Sequence, residues 1–206
     1  VSILPSFNRF PEEGRLIGLM VTGWGELEFD LAHCVSQITD NADVAFKVMF
    51  RARGESNRLA LADALARPML SPGPYLDFYD RTLAGLRICL KIRNQYAHSN
   101  WLDDPSRGLL FVALEEIVSS NLPIDLRSLS QHPAPLAHLQ RQGRFFEFVR
   151  NSLTWLNFEA QFVGGRIHQN HFPRPRTMRT PATKLAPSLI PLPVANFRGN
   201  PSSGQP

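Results

Sequence analysis

The chain has 206 residues, 43% of them hydrophobic, enough for one substantial core and too few for two ordinary domains. The net charge of +4 comes from the C-terminal end: residues 160–206 hold six Lys/Arg and no acid, whereas residues 1–159 hold 16 basic and 18 acidic residues. This excludes a broad positive field over the body, so any site for a polyanion there rests on a few placed arginines.

The opening VSILPSFNRF lacks a charged-then-apolar leader pattern, and residues 1–10 read as an N-terminal extension. Pro11, Glu12 and Glu13 then start a helix, since proline lacks the amide that a first turn leaves unused and acids favour the positive end of the dipole. Leu16, Met20, Trp24, Leu27, Leu31, Cys34 and Ile38 recur at steps of three and four to about Thr39, predicting one long amphipathic helix. Gly18, Gly23 and Gly25 mark it for close approach of a second helix. DNADVAFKVMFRAR and SNRLALADALARPML continue as one broken helix or two short ones around Gly54, and SPGPY at 71–75 is a loop. From Leu76, an apolar stripe through Tyr79, Leu83, Leu86, Leu90 and Ala97, widened by Phe78, Ile88, Cys89 and Ile92, predicts a helix central to a bundle and ending near His98.

SNWLDDPSRG is rich in turn formers. Over 109–127, GLLFVALEEI and LPIDLRSL fit either a small hairpin or irregular connections. A long helix returns with Leu136, Leu139, Phe145, Phe148, Val149, Leu153, Leu156 and Phe162 as expected core positions and stops at Gly164 and Gly165. Residues 173–206 carry eight prolines and no acid, and 169–206 read as a basic, Pro-rich, disordered tail whose apolar island LAPSLIPLPVANF is passive rather than a linear binding segment. The expectation is an all-α bundle of four or five helices over residues 11–168, with a small hairpin and a disordered tail. Cys34 and Cys89 sit in apolar helical patterns without disulfide or zinc spacing, and no run of about 18 apolar residues occurs. A reducing, cytoplasmic setting without a membrane span is expected.

KIRNQYAHSNW, at the end of the central helix, is the candidate for chemistry. At about 100° per residue, Asn94 and His98 share a face while Arg93 and His98 stand about 140° apart. They converge if the arginine stem wraps round the helix, if the last turn loosens, or if a second copy meets the first across a two-fold axis. Two such helices would bring two arginines and two histidines to one phosphodiester. One neutral imidazole would take the proton of a ribose 2′-hydroxyl, its protonated partner would supply the leaving oxygen, and the guanidinium groups would hold the phosphate. Asn94, one turn before His98, would fix the imidazole tautomer or bond the substrate.

Arg93-Asn94-Gln95-Tyr96-Ala97-His98 resembles the arginine, polar residue, three variable residues, histidine motif of the HEPN superfamily of small helical proteins, many of them RNA-cleaving toxins and defence effectors. GWGELEFDL in a preceding long helix fits the same resemblance, which extends over about residues 11–162. It implies a metal-independent endoribonuclease without cofactor, assembled as a homodimer, with Arg93 and His98 in the catalytic positions and Asn94 in the accessory one. RNA is then the expected substrate and an antitoxin or other protein an expected partner.

Structural readings stand beside it. His98 would cap its helix through the imidazole, and Arg93 would pair with a carboxylate of the first helix, for which Glu28 is the candidate; Glu28 would equally orient a catalytic Arg93. Asn100 and Trp101 would bond or stack a nucleotide base, or Trp101 would cover the helix end. His132 and His138 share no helical face and have no ligand partners, so no metal site is assigned. The adjacent pairs Glu115/Glu116 and Asp103/Asp104 are solvated surface. The alternative function is a non-catalytic helical interaction protein in which Arg93 and His98 are structural.

Overall fold

A computed structural model describes residues 3–71, 73–119 and 129–187, and these are mostly helical with one small sheet. The first elements are α1 (Pro5–Arg9), α2 (Pro11–Thr22) and α3 (Trp24–Thr39). The long first helix is therefore two, divided at Gly23, and the residues taken as an extension form α1. Close approach of a second helix does not account for Gly18, Gly23 or Gly25. A Cβ at Gly18 or Gly25 would meet nothing within 4 Å, and one at Gly23 would meet its own helix's Leu19 carbonyl.

α3 ends where Asp40 takes a left-handed conformation, φ 51°. The side chain of Asn41 then caps α4 (Ala42–Arg51) by accepting from the Val44 amide at 3.0 Å. Gly54, with φ 81°, separates α4 from α5 (Glu55–Leu70), so the ambiguous stretch is two helices. After the loop comes α6 (Leu76–Ala97), whose buried residues include Phe78, Tyr79, Leu83, Leu86, Cys89, Ile92 and Tyr96. Each such side chain, fully buried, contributes roughly 1.5–3 kcal/mol before entropy is counted, and together they place α6 at the centre. It packs on α2, α3, α5 and α8 (Leu136–Val163).

The hairpin lies earlier than expected. β1 (Ser99–Asp104) pairs antiparallel with β2 (Gly108–Ala113), and β3 (His132–Pro133) adds to the far edge of β2. The turn formers of SNWLDDPSRG thus hold a strand and its turn. Asp104 accepts from the Ser106 hydroxyl and amide and from Arg107, which holds its carboxyl well below the usual carboxylate range, and Gly108 takes φ 83°. β2 is followed by α7 (Leu114–Ser119); residues 120–128, the second half of the predicted hairpin, lie outside the described residues. α1 closes over the hairpin: Phe7 meets Trp101 edge-on at 5.2 Å, and Arg9 pairs with Asp103.

The expectation of a disordered tail fails for its first part. Residues 169–187 run without regular structure back along α8 and α6. Asn170 Nδ2 donates to the Trp155 carbonyl at 3.2 Å, Arg174 lies 4.9 Å over both Phe78 and Trp155, and Met178 packs against the core. A proline-rich segment needs no core of its own when it borrows one. Most of the apolar island falls beyond residue 187, outside the described residues.

A glycine that does mark a close approach between long helices is Gly85, where a Cβ would stand 2.8 Å from Val149 Cγ2 across the seam between α6 and α8. Val149 is fully buried and cannot swing aside. Gly85→Val should therefore cost about 2 kcal/mol through overpacking, seen as a lower midpoint in urea unfolding with an unchanged slope.

Candidate functional site

The C-terminal half of α6 and its cap carry four polar residues in one line. Arg87, Lys91, Asn94 and His98 follow at steps of four, three and four, so all lie within about 60° of one another around the helix. Arg87, Lys91 and His98 are exposed and Asn94 is half-buried. Beside this line, between α5 and α6, runs a shallow cleft of about 390 Å³ bordered by Ser56, Arg87, Lys91, Asn94 and Glu115. Among the described residues neither Arg87 nor Lys91 has an ion-pair partner, so the line presents two positive charges ahead of the asparagine and the histidine.

Arg93 starts on a different face and reaches this one. Its Nη1 donates to Asn94 Oδ1 at 2.9 Å, so the guanidinium reaches the neighbouring side chain of the line. The same nitrogen lies 3.3 Å from Glu55 Oε1 at the start of α5, and the side chain keeps 24% of its exposure. The acid paired with Arg93 is thus Glu55, not Glu28. Glu28 points from α3 to Arg58, 2.9 Å away, with its own side chain 8% exposed. Pairing follows helix adjacency: α5 presents Glu55 and Arg58 at a step of three and supplies a counter-charge to α6 with one and to α3 with the other.

His98 ends α6, but its ring does not cap it. The backbone N–H of His98 donates to the Asn94 carbonyl at 3.0 Å, and the Gln95 carbonyl accepts from the Ser99 hydroxyl at 2.5 Å. The imidazole has no hydrogen-bond partner among the described residues. The Leu114 amide donates to the His98 carbonyl at 3.2 Å and fixes the backbone beside the first turn of α7.

Asn100 and Trp101 part company on β1. Asn100 is exposed. Trp101 faces inward against Tyr96 at 5.6 Å and Phe111 at 5.4 Å, so it covers the helix end and no base can stack between it and these rings. His132 and His138 are both 2% exposed, inside the fold rather than in a loop. Burial, then the charge of Arg141, push the His138 ring toward its neutral form. The cysteines are inert: burial pushes the Cys34 thiol up to about 12 and raises Cys89 as well. Among the described residues no three His, Cys, Asp or Glu side chains are placed to share a metal ion, and no helix is long and apolar enough to cross a membrane.

An apolar hollow of about 440 Å³ at the opposite end of α5, lined by Ile38, Leu70, Tyr75 and Leu156, holds none of these groups. The residues missed from the sequence are Arg87, Lys91, Glu55 and Arg58. The first two had a visible signal, cations spaced to share the face of Asn94 and His98; the acid and base of α5 had none, because their partners depend on which helices touch.

No protein-family model, no curated protein and no solved structure matches the chain.

The Glu28–Arg58 pair gives a stability test. Arg58→Met leaves a carboxylate buried without a partner and should cost about 2 kcal/mol in chemical denaturation, less than a fully buried pair because Arg58 is partly solvated. Adding Glu28→Gln should restore about half of that loss, a coupling that a double-mutant cycle reads directly.

Proposed function

We propose that this protein is a metal-independent endoribonuclease of HEPN type, working as a homodimer in which two α6 ends share one RNA phosphodiester. The observation that carries this reading is the exposed line Arg87–Lys91–Asn94–His98 with the Arg93 guanidinium turned onto Asn94. Arg93 and His98 are the proposed catalytic pair, and Asn94, which accepts a hydrogen bond from Arg93, is the proposed accessory residue. Glu55 keeps the guanidinium from collapsing onto the helix and is a positioning residue, the role that Glu28 was expected to play.

In the reaction, the imidazole of one His98 takes the proton from the ribose 2′-oxygen as that oxygen attacks phosphorus. The bond to the 5′-oxygen breaks, the partner copy's imidazolium protonates it, and a cyclic phosphate is left. Arg93 from each chain stabilises the charge on the non-bridging oxygens. Arg87 and Lys91 lie along the helix at the spacing of a strand backbone and supply salt-dependent, sequence-independent affinity. A toxin or defence role is consistent with this chemistry.

A second reading is favoured by one contact. The Arg93–Glu55 pair is an ordinary cross-helix ion pair, and in a non-catalytic interaction protein it would be the whole purpose of Arg93.

His98→Ala separates the two. The ring is exposed and makes no hydrogen bond among the described residues, so its removal should change stability by no more than about 0.5 kcal/mol. Cleavage of a mixed RNA substrate in EDTA should fall by about 10²–10⁴-fold, as expected for loss of a general acid–base group. Wild-type protein that leaves RNA intact under these conditions would remove the nuclease reading.

A further inference from the structure

Residues 182–185 are held by a set of buried polar side chains that have no other evident task. Gln142 Nε2 donates to the Ala182 and Thr183 carbonyls, each at 2.9 Å, and Gln95 Nε2 donates to the Thr183 carbonyl at 3.1 Å. His132 Nδ1 lies 2.9 Å from the Leu185 carbonyl, and its Nε2 lies 3.0 Å from Glu116. His138 also lies against the Thr183 backbone. The receiving groups are deep: Gln142 is 0%, His132 2% and Gln95 9% exposed. Their bonds are directed at main-chain oxygens, and of the side chains of residues 182–185, all half-buried or exposed, Lys184 pairs with Glu116.

This is the chemistry of a peptide site, not of a core element. A core segment buries its side chains and satisfies its backbone with its own kind. Here the bundle offers side-chain N–H donors, and the segment, bounded by Pro181 and Pro187 and bent at Thr183 and Lys184, offers its carbonyls to them. The donors are also preset without the segment: Tyr96 OH donates to Gln142 Oε1 at 2.6 Å, turning the Gln142 amide nitrogen toward the groove. Emptied, the groove would leave buried amide donors with no acceptor.

We propose that the groove between α6, α8 and β3 is a peptide-recognition site that reads main-chain carbonyls, with the proline-flanked segment 181–187 as a separable ligand bound in cis. Gln95 lies directly after Asn94, so ligand occupancy bears on the last turn of α6. That consequence rests on the nuclease reading, whereas the binding itself does not.

The test uses the full chain with a specific protease sequence placed at the exposed Gly164–Gly165 turn and cut after folding. The distal fragment should dissociate on dilution and the body should keep its helical circular dichroism. A labelled synthetic peptide of residues 173–187 should then bind saturably by fluorescence anisotropy. Gln95→Met and Gln142→Met should each weaken binding about tenfold or more, whereas Thr183→Ala in the peptide should change it about threefold or less. An ester in place of the Thr183–Lys184 amide, a poorer acceptor, should weaken binding with the protein unaltered and so does not depend on either variant folding.

A body that unfolds when the fragment leaves, a fragment that never exchanges, or binding indifferent to the ester would each overturn the proposal. No RNA enters the assay, so its failure leaves the nuclease reading standing, and an inactive wild-type protein leaves this one standing.

Discussion

α6 is packed by α2, α3, α5 and α8, and a helix enclosed on that many sides can carry charge only along the strip its neighbours leave open. Arg87, Lys91, Asn94 and His98 occupy such a strip, and the buried faces are mostly apolar, with Thr82 and Gln95 as buried polar exceptions. The same enclosure fixes where the strip ends. Tyr96 and Trp101 close the bottom of the core with Phe111, so the chain leaves α6 at His98 and turns at once into β1. The position of the imidazole is therefore a result of core packing two residues before it and three residues after it.

Charge at the edge of such a helix needs an answer from the neighbouring helix. α5 is the least apolar neighbour of α6, and it meets α3 as well as α6. One turn of it, from Glu55 to Arg58, neutralises an arginine on one side and a carboxylate on the other. The pairing leaves Arg93 Nε and Glu28 Oε1 buried without partners among the described residues. Glu28 sits deeper, so removing its partner is the costlier change; Arg93 keeps enough exposure to meet a solvent-side anion as well as Glu55.

Periodicity carried the helices because each buries a stripe, and the stripe survives in sequence: the limits of α6 and the stop of α8 at Gly164 are where the pattern and the glycines put them. It misplaced the hairpin, since Asp103, Asp104, Pro105 and Gly108 are the residues of a tight turn, and a turn's chemistry spreads over the strand ends it joins. The adjacency of Arg93 and Asn94 in sequence is also a contact in space, the guanidinium donating to the Asn94 oxygen. The acid paired with Arg93 was not legible. Glu28 and Glu55 are equally plausible partners in a string of letters, and only the order in which α3, α5 and α6 pack chooses between them.

The tail shows a different limit. Composition asks whether a segment can bury enough of its own side chains to offset ordering entropy, and residues 173–187 fail that measure. The relevant account is of the backbone. Each carbonyl of a proline-bounded segment still requires a donor if it is covered, and the donors here are Gln95, Gln142 and His132. Two of these are glutamines on the inner faces of helices, where a glutamine has no packing advantage over leucine and leaves an amide to satisfy. A buried amide on an apolar face thus asks for a partner that periodicity does not supply; for Gln95 and Gln142 that partner is the backbone at Ala182 and Thr183.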